Sequence, residues 1–89
     1  MSTADTIFRI AIADPYVKFS WGYLSERERA STREVHEASG VDNWWPIKAG
    51  LDTLKQMKLV EERDEVWSLT EFGKRVRDVQ AATRELRVV

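Results

Sequence analysis

The stretch STREVHEASGVDNWWPIKAGLDTLKQMK, residues 31–58, holds two helical patterns separated by a glycine. Ser31 can cap the first helix while Glu34 bonds back to the backbone of Ser31, which is the reciprocal arrangement of a capping box. This predicts a helix over residues 32–39. Gly40 is expected to end that helix, because glycine adopts the left-handed backbone conformation at little cost.

A second helix is predicted over residues 44–58, with Asp42 or Asn43 as its N-cap. Pro46 is compatible with the first turn, where a backbone donor is not needed. Apolar residues recur at spacings of three and four, so one face should be buried. They are Ile47, Leu51 and Leu54, with Trp44 and Met57 as further candidates. The opposite face carries Trp45, Lys48, Ala49, Asp52 and Lys55.

Adjacent residues on a helix point about 100° apart, so at most one of the two neighbouring tryptophans should be well buried. We expect Trp44 to join the core and Trp45 to cover it in part. The alternative is that Trp45 lies exposed at the start of the helix, where it contacts DNA or anchors a partner, since large exposed apolar surface usually marks a contact.

Upstream of this stretch, the spacing of apolar residues predicts a helix over about residues 3–13. Asp14 and Pro15 then interrupt it and start a second helix over about residues 16–24, with Asp14 as the cap. Residues 25–30 are strongly charged and are predicted to form a connector.

Downstream, residues 59–63 and 66–69 predict two short strands joined in a hairpin around Asp64 and Glu65. Thr70 should cap a last helix that runs to about residue 86. The fold expected for the 89 residues is therefore one domain, mainly α with a small β-hairpin, of the α+β class.

Two helices joined by a tight glycine turn form a helix-turn-helix unit, in which the first helix supports a second whose exposed face enters the major groove. A hairpin directly after that helix forms a wing. The order of elements thus predicts a winged helix-turn-helix domain that binds double-stranded DNA.

Short motifs in the same order support this prediction: ADP at residues 13–15, REV at 33–35, GVD at 40–42, WPIK at 45–48, LDTL at 51–54 and LVE at 59–61. Together they resemble the ArsR-like transcriptional regulators. LTEFGK at residues 69–74 resembles the hairpin exit of MarR-like and PadR-like regulators. The resemblance covers roughly residues 8–76 and implies a cytoplasmic transcription regulator, expected to be a repressor, that binds DNA as a homodimer.

The sequence departs from the ArsR-like pattern in two ways. Lys58 stands where the family usually has glycine, which should alter how the reading helix ends. The metal-sensing cysteines and histidines of some members have no counterpart, because the chain has no cysteine and a single histidine, His36, which we expect at the surface. We therefore expect no metal and no cofactor.

The charge balance supports DNA binding only in part. The chain carries 14 Lys and Arg against 15 Asp and Glu, whereas DNA-binding domains usually carry excess positive charge. Residues 43–58 have three lysines and one aspartate, so the reading helix is basic. Residues 59–70 have one arginine and four acids, so the wing is acidic and poorly suited to phosphate.

Two sets of residues carry the functional prediction. The DNA-contacting set is Arg33, Asn43, Trp45, Lys48, Ala49, Asp52, Lys55 and Arg63. The dimerisation set lies along the last helix at helical spacing and is Phe72, Val76, Val79, Thr83 and Leu86. For each lysine a solvated helix face is an equally good interpretation, and at least one of Arg27, Arg29 and Arg33 is expected in a surface ion pair. The last helix could instead pack on its own chain.

The alternative function is a protein-interaction module that uses the acidic wing, with Glu61 and Glu62, and an exposed Trp45. An enzyme is not expected, because the sequence has no phosphate-binding glycine loop and no nucleophile and base around its one histidine. A membrane protein is not expected either, because no apolar run approaches the roughly 20 residues that span a bilayer.

Overall fold

The computed structural model describes the backbone of residues 9–87 and the side chains of residues 9–82. Residues 9–12 are helical and residue 13 is a turn, and the rest of the helix predicted over 3–13 lies outside the described residues. The following elements are α1 (Pro15–Arg27), β1 (Arg29–Ser31), α2 (Thr32–Ser39), α3 (Trp45–Gln56), β2 (Val60–Arg63), β3 (Val66–Leu69) and α4 (Glu71–Arg87). The α+β class is confirmed.

The connector predicted over residues 25–30 is wrong. Helix α1, capped by Asp14 as expected, continues to Arg27, and Glu28 ends it in a left-handed conformation with φ 69°. Strand β1 begins at Arg29 and pairs antiparallel with β3, placing Ala30 opposite Trp67. The sheet therefore has three strands in the order β1-β3-β2, rather than the two of a simple hairpin. Through this pairing, β1 joins the hairpin to α1, the helix that precedes it in the chain.

The hairpin turn forms without glycine. Asp64 and Glu65 both have positive φ, 52° and 66°, which is the backbone of a type I′ turn, the turn whose twist matches that of the flanking strands. Aspartate tolerates this conformation better than most residues. The turn therefore presents two exposed carboxylates at the tip of the hairpin.

Helix α2 and its turn form as predicted. Ser31 Oγ accepts the backbone N–H of Glu34 at 3.1 Å, and the Glu34 carboxylate accepts the backbone N–H of Ser31 at 2.9 Å. Hydrogen bonds from the backbone N–H and then the side chain of Ser31 hold the pKa of Glu34 below its usual value, because they stabilise the charged carboxylate. Gly40 ends the helix with φ 71°. His36 Nε2 lies 2.6 Å from the carbonyl oxygen of Val41, and this hydrogen bond links α2 to the turn that follows it.

Helix α3 starts later and ends earlier than predicted. Its N-cap is Trp44, with no side-chain capping bond, so the expected cap at Asp42 or Asn43 is wrong. After Gln56 the chain turns through Lys58, whose φ is 65°. The lysine adopts the left-handed conformation that glycine would adopt more easily.

The core lies between α1, α3 and the inner face of the sheet. Trp67 is its largest fully buried side chain, and its indole N–H donates to Thr32 Oγ1 at 2.7 Å. Leu24, Val35, Leu51 and others complete the cluster, and Met57 packs against it. Gly50 lets α3 approach α1 closely, since a Cβ there would lie 3.1 Å from the carbonyl of Tyr16.

Helix α4 is capped by Thr70, as predicted, because its hydroxyl accepts the N–H of Gly73 at 2.9 Å. Two side-chain bonds then hold the helix against α1. Trp21 Nε1 donates to Gln80 at 3.0 Å, and Arg77 donates to Glu28 at 2.8 Å. The Arg77 guanidinium holds the pKa of Glu28 below its usual value. The first half of α4 is therefore part of the domain body.

Candidate nucleic-acid interface

One face of α3 is left open by the rest of the described chain. Ile47, Leu51 and Leu54 are fully buried on the inner face. Helical spacing places Trp45, Ala49, Asp52 and Gln56 on the opposite side, and we call these four residues the open ridge. Trp45, Ala49 and Gln56 are exposed, and the side chain of Asp52 is 44% exposed. Gln56 was missed in the sequence, although its spacing of four from Asp52 could have identified it.

Both neighbouring tryptophans are exposed, Trp44 by 57% and Trp45 by 62%. The expectation that Trp44 joins the core is wrong. The helix begins at Trp45, so Trp44 is the capping residue and lies outside the buried stripe. Trp45 is exposed at the start of the helix, as the alternative expected. Two exposed indoles therefore lie at the N-terminal end of α3.

Lys48 lies on the flank of the open ridge that faces the sheet. Its Nζ is 3.5 Å from both carboxylate oxygens of Asp52, one turn further along α3. The same Nζ lies 5.7 Å from the centre of the Trp67 ring, so the lysine also makes a cation–π contact. The ammonium group of Lys48 therefore lies between the buried Trp67 ring and the Asp52 carboxylate.

Lys55 lies on the same flank. Its Nζ is 3.8 Å from Oε1 of Glu62 in β2. This pairing could not be seen in the sequence, because it depends on how the hairpin packs against α3. Each of the two lysines expected to contact DNA thus already lies beside a carboxylate of its own chain.

The other predicted DNA-contacting residues lie apart from this flank. Arg33 is exposed in the first turn of α2, where its Nε donates to Glu37 at 2.9 Å, as expected for a surface ion pair. Asn43 is exposed in the turn before α3. Arg63 is next to Glu62 in β2, and alternate residues of a strand face opposite sides. Arg63 therefore lines a depression on the outer face of the sheet with Arg29 and Glu61, away from Lys55.

The residues of the predicted dimerisation set differ in how far they are buried in the structure. Val76 is partly buried and packs against the core of its own chain. Phe72 and Val79 are exposed by 46% and 65%. The side chains of Thr83 and Leu86 lie outside the described residues.

Among the described residues, no cluster of three or more His, Cys, Asp or Glu side chains could hold a metal ion. In the same part of the chain, no helix is long and apolar enough to cross a membrane. No protein-family model, curated protein or solved structure matches the chain. Function must therefore be inferred from the open ridge, its flanking charges and the surfaces beside it.

Proposed function

We propose that this chain is a DNA-binding transcriptional regulator of the winged helix-turn-helix type, which reads duplex DNA with α3 in the major groove. The observation that carries the proposal is the open ridge. A helix whose inner face is fully buried and whose outer face is left open by the described residues has the form needed to enter a groove.

The elements around α3 support the same proposal. Helix α2 and the Gly40 turn precede it, and the β2–β3 hairpin follows it, in the order of a helix-turn-helix with a wing. Strand β1 joins the hairpin to the body and would hold a wing in place. Five of the six motifs that resemble ArsR-like regulators, all except ADP at residues 13–15, fall on these same elements.

The charges shape what kind of DNA binding is expected. A phosphate or base must compete with Asp52 for Lys48 and with Glu62 for Lys55. The acidic hairpin tip, Asp64 and Glu65, would repel a phosphate backbone. We therefore propose that α3 provides most of the contacts and that the hairpin contributes little positive charge.

We expect Lys48→Ala and Lys55→Ala each to weaken DNA binding without unfolding the domain, because both side chains are partly exposed and outside the core. If Lys55 contacts a phosphate, its removal should reduce the slope of log K against log salt by about 1. Fluorescence anisotropy titrations of random and genomic duplexes at two salt concentrations measure both effects.

Lys18→Ala is the matched control for these variants. It removes the same charge from an exposed position on α1, so binding should change little. If wild-type protein shows no salt-sensitive retention of any duplex at low salt, the DNA-binding proposal is rejected.

We also propose that α4 pairs with the same helix of a second copy. Phe72 and Val79 are seven residues apart, so they lie on one face of the helix, and both are substantially exposed. A two-fold dimer would present two α3 helices to successive major grooves.

Light scattering is expected to give twice the chain mass of 10.3 kDa. Val79→Asp should shift the mass to the monomer, because it places a charge in an apolar contact. Ala81→Asp, about 200° round the helix, is the control and should leave the dimer intact. A wild-type monomer at high micromolar concentration would exclude the dimer but not DNA binding by single chains.

A protein-interaction module is the second candidate. It is favoured by the exposed Trp44 and Trp45 and by the acidic tip of the hairpin. Aromatic anchors of this size are common at the centres of protein interfaces. Complete absence of DNA binding in the titrations above, with an intact fold, would leave this as the better proposal.

A further inference from the structure

We infer that Lys48 and Asp52 act together as a donor–acceptor pair that reads a single G·C base pair. This inference rests on the proposed function, because it requires α3 to lie in the major groove. It assigns a role to the acidic residue of the open ridge, which a purely phosphate-binding surface would not be expected to contain.

The geometry of the pair is the first step. The Lys48 ammonium lies at equal distance, 3.5 Å, from both oxygens of Asp52. The ammonium group also lies 5.7 Å from the centre of the Trp67 ring. The two side chains remain 38% and 44% exposed, so both can still contact a ligand. Lys55 differs, because its carboxylate partner belongs to the hairpin instead of to α3.

The edge of a G·C pair has the complementary pattern. In the major groove, guanine offers two acceptors, N7 and O6, and cytosine offers a donor at N4. O6 and N4 are hydrogen-bonded to each other and so lie about 2.9 Å apart. The distance from Lys48 Nζ to the Asp52 oxygens, 3.5 Å, is similar. The ammonium group has three donors and can bridge N7 and O6, while the carboxylate accepts from N4.

An A·T base pair and a phosphate both fit the Lys48–Asp52 pair less well than a G·C base pair does. The edge of an A·T pair alternates acceptor, donor and acceptor, so placing Asp52 at the adenine amino group separates the two acceptors that Lys48 could bridge. A phosphate would meet the Asp52 carboxylate as a like charge. Base readout of G·C is therefore the contact that uses both members of the pair.

The test is selection of binding sites from a randomised duplex library by the full chain, followed by sequencing. Wild-type protein should enrich sites with G·C at one defined position. Asp52→Ala should lower the preference at that position by roughly 10- to 100-fold, the usual contribution of one hydrogen bond to a charged group. Preferences at the other positions should not change. Asp42→Ala, which removes the same charge from outside α3, should leave all preferences as in wild type.

A chemical probe tests the same contact without altering the protein. Replacing the selected guanine by 7-deazaguanine removes the N7 acceptor and should weaken wild-type binding but not binding by Lys48→Ala. The inference is overturned if Asp52→Ala leaves the base preferences unchanged, if A·T is selected at its position, or if 7-deazaguanine has no effect. In each of those cases the library is still enriched, so DNA binding stands. A library that is not enriched at all would instead reject the proposed function.

Discussion

Gly73→Ala is expected to lower the free energy of unfolding by about 3 kcal/mol, at the upper end of the range for an added methyl group in a packed site. A Cβ at Gly73 would overlap the backbone carbonyl oxygen of Leu59. That oxygen cannot rotate away, because it belongs to the backbone between α3 and β2 and accepts the N–H of Thr70 at 3.1 Å. The start of α4 must therefore move, which strains the Thr70 cap.

Gly22→Ala is the matched control, since it adds the same methyl group to a helix. A Cβ at Gly22 has nothing within 4 Å, and alanine favours the helix by roughly 1 kcal/mol over glycine. Gly22→Ala should therefore stabilise the domain slightly. Urea denaturation followed by circular dichroism compares the two variants. Equal stability of Gly73→Ala and wild type would show that α4 does not approach Leu59 this closely.

The parts of the fold that could be predicted from the sequence depend on local signals. The capping box of Ser31 and Glu34, the left-handed Gly40 and the Asp14 cap each involve residues within a few positions of one another. The hairpin was found because its two strands are adjacent in the chain. Such features need no knowledge of distant contacts.

The parts that were missed depend on tertiary contacts. Strand β1 has three residues, too few to show an alternating pattern, and it exists because β3 provides its partner. Trp44 was assigned to the core from helical spacing, but that spacing applies only to residues inside α3. The contact of Val76 with the core of its own chain likewise could not be predicted from its spacing along α4.

The candidate site shows the same division. Helical spacing predicted which side of α3 is open, because that side is the complement of the buried stripe. It could not predict that Lys55 lies beside Glu62, since those residues meet only when the hairpin packs against the helix. The electrostatics of the flank therefore came from the structure, whereas the open ridge came largely from the sequence.

Trp67→Ala is expected to have the largest effect on stability, a loss of about 3–5 kcal/mol. The ring is fully buried between the sheet and the helices, and its removal leaves a large cavity. It also leaves the Thr32 hydroxyl without its indole donor and Lys48 without the aromatic ring beside it. Because a domain of this size has a total stability of only about 5–15 kcal/mol, the melting temperature should fall by about 20 °C or the protein should fail to fold.

Trp45→Ala is the matched control, because it removes the same side chain from a position that is 62% exposed. It should change the melting temperature by a few degrees at most, while removing part of the surface proposed to meet the groove. Comparing the two variants therefore separates an effect on folding from an effect on DNA binding. If Trp67→Ala melted like wild type, the sheet would not be packed on α3 through this ring. Lys48 would then lack the contact with the Trp67 ring, which is part of the geometry from which we inferred its role in reading DNA.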